Sequence, residues 1–549
     1  EPLAGAGVFV LETQKGTSTD ERGVYKLQGL EPGTYTLRVT YVGYERALRK
    51  GQIVKGTSQT ILHVQLTETV FTMEGVTVRA TRAQEEAPFT FKTLDQKELQ
   101  VNDLGVDMPY LLQWTPGVVV TSDAGTGVGY TGIRIRGTDP TRVNVTINGI
   151  PLNDAESQGV FWVNMPDFAA SVQDVQIQRG VGTSTHGAGA FGATINLNTS
   201  DLEPEAYGRL STAFGSFNTW KGSANFGTGL LHDKFTLDGR ISRIQSDGYI
   251  DRGSANLESF YLSGAYTGDK SLLRLVLFSG QEVTYQAWNG VPAAFVDDPE
   301  LRTYNSAGTE KPGEPYENEV DNYGQTHYQA LYHQFLSRNW NLDLALHYTR
   351  GAGYFEQYKA DQNRLDYGLD TVFLAQDSIV TESDLVRRLW LDNHFYGGTY
   401  ALNYVNNSSR LKVTLGGAWN QYLGAHYGER LWGELLPAGA EPVARYYEND
   451  ATKTDFNTFL KVDYDLTEKL QIFGDLHFRQ VDYTFLGFNR NLENVEQSVQ
   501  LRFFNPKAGL AYVLNEQTDL YASFAVGQRE PNRDDFVNST PESRPTPEK

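Results

Sequence analysis

The sequence predicts a mainly β protein: a transmembrane antiparallel β-barrel, preceded by a compact α/β plug segment and a small β-sandwich extension. Three observations predict it. From about residue 205 onward, long segments alternate apolar and polar residues, the pattern of a strand with one lipid-facing and one lumen-facing row. Short turns then alternate with long polar loops, as on the two rims of a barrel. The composition is rich in Tyr (31), Phe (28) and Gly (54), yet no run of about 18 apolar residues exists to make a membrane-spanning helix.

The same composition excludes other classes. With no cysteine, disulfide frameworks, Cys-ligated zinc and thiol catalysis are ruled out. The 47 Lys+Arg against 67 Asp+Glu give a net charge of −20, the wrong sign for a nucleic-acid binder, which needs a cationic surface. An aromatic content of 12% is too high for a disordered acidic chain.

In chain order, residues 1–69 read as a β-sandwich. VYKLQGL (24–30) and TYTLRVTYV (34–42) are expected strands, bounded by the turn clusters Asp20–Gly23 and Glu31–Gly33. Tyr35, Leu37 and Val39 share one face. Residues 70–86 form a linker with a short β-prone core, Val76-Thr77-Val78, which can add as a strand to a partner's sheet edge. Residues 87–204 form the α/β segment. Short helices are expected at 94–100 and at 107–117, the latter stopped by Pro116-Gly117. Strands are expected at 132–137, 142–149, 174–180 and 194–199.

Residues 205–549 contain roughly 13 strands, each near or above the ~9–11 residues that cross a bilayer. Leu342, Leu344, Leu346 and Tyr348 oppose Asp343, Ala345 and His347. Leu411, Val413, Leu415 and Trp419 oppose Lys412, Thr414 and Gly416. Leu470, Ile472, Leu476 and Phe478 oppose Asp475, His477 and Arg479. Turns are expected at 337–341, 406–410, 466–470 and 514–518, and long loops at 287–322, 354–386 and 425–453. A plugged barrel is expected to have about 22 strands, so the chain is expected to stop mid-barrel with roughly nine strands still to come.

Motifs with other meanings fail on context. GAGAFG (187–192) has the letters of a dinucleotide fingerprint, but an alternating strand rather than a helix follows it. His327 and His333 are six residues apart, about 20 Å along a strand, so they cannot share one metal. No H-E-x-x-H or G-x-S-x-G in the α/β region supports zinc or serine chemistry. No enzyme, cofactor or metal site is expected. Two polar, Gly-containing loops (121–130 and 153–167) suit a ligand platform. Tyr130, Phe161 and Trp162 would stack on the ligand, while Asp123, Ser157 and Gln158 would hydrogen-bond to it.

PGVVV (116–120), GIRIRG (132–137), RVNVTINGIPLND (142–154) and VQIQRGVGTSTHGAGAFGATINLNT (175–199) occur in an order and spacing that resembles the TonB-dependent outer-membrane receptors. PLAGAGVFV with TDERGVYKLQGLEPGTYTL resembles the carboxypeptidase-regulatory-like domain, an accessory module without peptidase activity. The receptor resemblance implies a location in the Gram-negative outer membrane, with the N-terminal domain and TonB box in the periplasm. It places the TonB-binding segment at Met73, Glu74, Gly75, Val76, Thr77, Val78, Arg79 and Ala80, and the ligand-facing apices at 123–130 and 153–164. It implies that Arg136 and Arg179 latch the plug to barrel carboxylates.

Implied partners are TonB with its inner-membrane ExbB–ExbD motor, outer-membrane lipid and a small-molecule ligand, with a surface lipoprotein left open. The implied activity is proton-gradient-driven import of a scarce ligand, with an iron–siderophore or other iron complex ahead of cobalamin or an oligosaccharide. The alternative from another class is a passive porin or a surface adhesion barrel.

Overall fold

A computed structural model describes residues 1–549 except 1, 4, 11, 14, 21, 42–46, 55–59, 67–89, 185–190, 200–201, 375–378, 407–409, 437–440, 442, 468, 516–517 and 541–542. The chain divides into two compact units, Glu1–Glu74 and Gly75–Lys549. The segment expected to bind TonB, 73–80, lies outside the described residues.

In the first unit, β1 (Gly7–Val10), β2 (Gly16–Ser18), β3 (Gly33–Thr40) and β4 (Ala47–Val54) form one antiparallel sheet in the order β2-β1-β3-β4. Val8, Val10, Tyr35, Leu37 and Val39 make its core, the face read from the alternation of 34–42. The expected strand at 24–30 is not in this sheet. The Asp20 carboxylate accepts the N–H groups of Arg22 and Val24, both at 2.9 Å, and turns the chain away. Residues 24–30 instead lay Tyr25, Leu27 and Leu30 over the core without ladder pairs.

The second unit opens with the plug. Its strands are β5 (Phe91–Asp95), β6 (Val118–Ser122), β7 (Thr131–Ile135), β8 (Val143–Ile147), β9 (Ile150–Pro151), β10 (Val172–Arg179) and β11 (Ala193–Thr199). Of two short helices, α1 (Gln96–Asn102) starts and ends two residues later than the expected 94–100, and α2 (Met108–Leu112) falls within the expected 107–117. A capping box starts α1: Asp95 Oδ1 accepts the Glu98 N–H at 2.9 Å, and Glu98 Oε2 accepts the Asp95 N–H at 3.1 Å. Five strands pair in the order β5-β10-β11-β8-β9, with β11 and β8 parallel, while β6 and β7 form a separate hairpin. Both faces of β8 and β11 are buried, so neither is an edge against solvent.

Thirteen strands in unbroken sequence order make the large antiparallel sheet. They are β12 (Ala206–Phe214), β13 (Trp220–Thr228), β14 (Phe235–Ser246), β15 (Ala255–Thr267), β16 (Ser271–Tyr285), β17 (Val320–Phe335), β18 (Trp340–Asn363), β21 (Glu382–Val405), β22 (Leu411–Gly433), β23 (Ala444–Asp465), β24 (Leu470–Gly487), β25 (Gln497–Asn515) and β26 (Thr518–Ala525). A small hairpin, β19 (Val372–Phe373) with β20 (Ile379–Val380), decorates the loop between β18 and β21.

The alternation reads out as expected. Leu344, Leu346, Leu415, Trp419, Leu476 and Phe478 are exposed on the outer face, whereas Asp343, His347, Asp475, His477 and Arg479 are buried on the inner one. An exposed apolar band of this kind over a polar inner face is the pattern of a lipid-facing barrel wall.

Two expected loops are largely strand. Residues 354–363 and 382–386 extend β18 and β21, each of which is 24 residues long, and 425–433 with 444–453 extend β22 and β23. Cross-strand aromatic pairs continue the ladder along these extensions. Tyr354 meets Trp390 at 4.7 Å and Trp390 stacks on Tyr427 at 5.7 Å, while the Arg388 and Arg445 guanidinium groups lie over Tyr354 and Tyr427 at 3.9 and 3.8 Å.

The plug sits inside this sheet's curve, because the two share one core. Plug residues Phe168, Val175, Ile177 and Ile195 cluster with Tyr261, Val276, Phe278, Leu331 and Ala345 of the barrel wall. Phe168 and Phe278 approach to 5.0 Å, and Asn148 Nδ2 donates to Gln329 Oε1 at 2.9 Å. At Gly280 the wall has no side chain because the plug backbone occupies the space: a Cβ there would meet the Asn164 carbonyl.

Candidate ligand cavity and plug latches

Above the plug, a cavity of about 720 Å³ opens between its apices and the barrel wall. That volume suits a single small-molecule ligand. Asp123, Tyr130, Asp154 and Phe161 line it from the plug; Glu282, Trp288, Asp321 and Phe355 line it from the barrel side. The aromatic rings form a chain. Tyr130 meets Phe161 at 6.5 Å and Trp288 at 5.4 Å, and Trp288 meets Phe355 at 5.6 Å, all edge-to-face. The Tyr130 hydroxyl donates to Asp321 and, at 3.4 Å, to Glu282. Burial, followed by these two carboxylates, raises the Tyr130 pKa well above the ordinary phenol value. Burial also raises the Asp123 carboxyl, and burial with Glu156 nearby raises Asp154.

Three of the six expected ligand residues therefore face the cavity: Asp123, Tyr130 and Phe161. The others do not. Ser157 belongs to the apex turn, where its N–H donates to Asp154 Oδ1 at 2.7 Å. The Gln158 side chain is buried, donating to the carbonyls of Glu530 and Pro531, both at 3.1 Å, and accepting from Arg529 Nε at 2.6 Å. Trp162 is corrected from ligand platform to plug core. It starts a 3₁₀ turn (Trp162–Asn164) that carries its ring inward, and it is 3% exposed among the core side chains.

The latch also differs from the one implied by the resemblance. Arg136 is exposed and donates to Thr90 Oγ1 at 3.1 Å, and Arg179 is half-buried at the end of β10. Among the described residues neither is seen paired with a barrel carboxylate. The plug–wall ion pairs that are seen run chiefly with the opposite polarity, as plug carboxylates held by cations of the barrel chain.

One such latch is at the apex. Glu156 receives Tyr422 OH at 2.8 Å, Tyr483 OH at 2.7 Å and Arg533 Nη1 at 2.6 Å, and lies 2.6 Å from His426 Nε2. Burial pushes the Glu156 pKa up, but His426, Arg533 and Tyr483 outweigh it and hold the carboxyl well below the usual range. The other latch is at the lower wall. Asp167 is paired with Lys221 and, at 3.1 Å, with Arg240, while Lys221 also reaches Asp103 at 2.7 Å. Sequence reasoning missed both. The only signal for them was the pair of acids Glu156 and Asp167 in the 153–167 loop.

Inside the plug, Asp107 is buried, with Oδ2 accepting the Thr131 hydroxyl at 3.0 Å. Burial pushes its pKa up to about 8 against a smaller opposing effect of Thr131. A raised carboxyl pKa means that the folded plug binds the extra proton, so its stability falls as pH rises from the ordinary aspartate value and levels off near pH 8. Asp107→Asn is expected to remove this loss. In urea titrations followed by near-ultraviolet circular dichroism, variant and wild type should agree near pH 4, and the variant should be the more stable at pH 7.5.

The wall histidines each have their own partner: His333 Nδ1 lies 2.6 Å from Asp343, and His327 pairs with Thr349 and stacks on Phe278. Among the described residues no group of three or more His, Cys, Asp or Glu is placed to hold a metal.

Family models match this arrangement in order. A CarboxypepD_reg-like domain matches residues 1–78, a TonB-dependent receptor plug domain residues 83–194, and a TonB-dependent receptor-like β-barrel residues 259–548. The last covers more than half of the chain. The chain belongs to the TonB-dependent receptor family.

The metal-pseudopaline receptor CntO of Pseudomonas aeruginosa is 23% identical over 374 residues, covering 66% of this chain and 51% of the relative. The chain thus spans about half the length of that curated relative. Among solved structures, the ferric-catecholate import receptor Fiu of E. coli K12 superposes with a TM-score of 0.62 at 14% identity, covering 82% of this chain and 71% of that one. The ferric yersiniabactin uptake receptor FyuA of Yersinia pestis gives 0.60 at 13%, covering 82% and 66%. At such identities the two structures show the shared fold.

Proposed function

We propose that this receptor imports a metal chelate, of the iron–siderophore type, across the outer membrane, with TonB and its ExbB–ExbD motor supplying the pull from the periplasm. The observation that carries the reading is the aromatic and charged cavity of about 720 Å³ closed below by a latched plug. A passive porin has no use for a plug that shares its wall's core. The names of CntO, Fiu and FyuA, each a receptor for a metal or ferric complex, support the same ligand class. The segment Met73–Ala80 is the proposed TonB-binding strand.

The test is uptake of radiolabelled iron and cobalt from a panel of chelates of graded charge, together with cobalamin. Cells lacking the receptor, cells lacking TonB and wild-type cells are compared. Loss of uptake of the same chelate in both deletions is expected. Uptake that survives without TonB overturns active import, and a defect confined to cobalamin overturns the chelate class.

A further inference from the structure

The cavity's charge is lopsided. Glu282 and Asp321 line it, yet they are only 1% and 8% exposed. Their partners are neutral: Tyr130 reaches both, Thr284 Oγ1 donates to Glu282 Oε2 at 3.2 Å, and the Asn322 backbone N–H serves Asp321. Among the described residues no lysine, arginine or histidine pairs with either carboxylate. Asp123 and Asp154 add to the acidic side of the same cavity. Its basic residues are already committed or peripheral. His426 and Arg533 are both held by Glu156, and Arg490 is exposed on the loop after β24. Buried carboxylates without a counter-charge are unfavourable unless they share a proton or meet a cation.

The aromatic chain lies beside these acids. Tyr130 and Trp288 are edge-to-face, Trp288 continues to Phe355, and Phe161 flanks Tyr130 from the plug. Phe161 and Trp288 remain 45% and 39% exposed. Aromatic faces next to carboxylates attract an organic cation twice, through the ring quadrupole and through direct charge. They reject an anion for the same reason.

We propose that the ligand of this cavity carries a cationic group, an ammonium or guanidinium, that docks against Glu282 and Asp321 beneath the Tyr130–Trp288–Phe355 rings. The inference rests on the chelate-import reading and narrows it: the cavity selects a metal chelate with a pendant positive charge over a polyanionic one. Ligand entry brings the counter-charge that the two carboxylates lack.

Three ferric trihydroxamate chelates of one backbone test this. One bears a free amine, one the acetylated amine and one the succinylated amine, so that the pendant charge is positive, neutral or negative. Binding to the full receptor in detergent is followed by quenching of tryptophan fluorescence. The amine chelate is expected to bind roughly tenfold or more tighter than the acetylated one, and the succinylated one weakest. In the Glu282→Gln/Asp321→Asn double variant the order should collapse. The amides keep the size and the hydrogen bonds to Tyr130 and Thr284, and retained heat-modifiable migration on gels checks the barrel.

A flat or reversed order in the wild type overturns the charge selection and leaves chelate import standing. An order that persists unchanged in the folded double variant overturns the assignment to these two residues. Binding of none of the three overturns the inference as well, and the uptake panel then decides whether chelate import falls with it.

Discussion

Val76→Pro is expected to abolish uptake while leaving ligand binding at the cell surface unchanged. The coupling segment read from the sequence is short and β-prone, and a partner that captures it by strand addition does so through backbone hydrogen bonds. Each such bond contributes only about 1 kcal/mol net, so a short pairing has little surplus. Proline at a paired position removes one donor and fixes φ, which is tolerated at a sheet edge but not within a two-sided ladder. Because the contact must also transmit a pull, a modest loss of affinity becomes a complete loss of transport.

Val76→Ala supplies the control. It keeps the donor and removes only the side chain, so it should retain a substantial share of uptake. Equal loss in both variants would mean that the side chain rather than the backbone is read. Normal uptake in Val76→Pro would remove 73–80 from the coupling role. Surface binding, measured on de-energised cells, separates either result from a failure to assemble.

The architecture was legible because a barrel strand has only two kinds of position. The alternation at 342–348 and 470–479 assigns lipid and lumen faces residue by residue, and Leu344, Asp343, Leu476 and His477 lie where it puts them. The period says nothing about where a strand leaves the membrane. Polar residues at 354–363 therefore looked like loop, although Tyr354, Trp390 and Tyr427 continue the ladder.

The site was half legible. Tyr130 and Phe161 stand out as aromatics in Gly-containing polar loops, and both face the cavity. Trp162, next to Phe161, points the other way, because a single residue step in a 3₁₀ turn separates cavity from core. The acids Glu156 and Asp167 were invisible as latches. Their meaning depends on Lys221, Arg240, His426 and Arg533, which lie between 54 and 377 positions away and converge only when the sheet curves around the plug.

Asp167→Ala is expected to unseat the plug without unfolding the barrel. The Asp167 side chain is 0% exposed, and those of Lys221 and Arg240 are 3% and 2% exposed. Removing the shared carboxylate leaves two buried cations with Asp103 as their remaining acid, and breaking a buried pair from one side costs about 3–5 kcal/mol. Arg240 would keep its bonds to the Pro166 and Asp167 carbonyls, so the loss is of charge compensation rather than of every contact. That cost falls on the plug–wall interface, whereas the barrel's ladder is untouched. Trypsin digestion of outer-membrane vesicles should then cut plug sites such as Lys97 and Arg134 much faster than in wild type, while the barrel keeps its heat-modifiable migration. Asp167→Asn should behave almost as badly, since it restores shape but not charge. The double variant Asp167→Ala/Arg240→Met should recover part of the protection by removing one stranded cation. Wild-type protection in Asp167→Ala would show that packing against Phe278 and Tyr261, and not this latch, holds the plug in place.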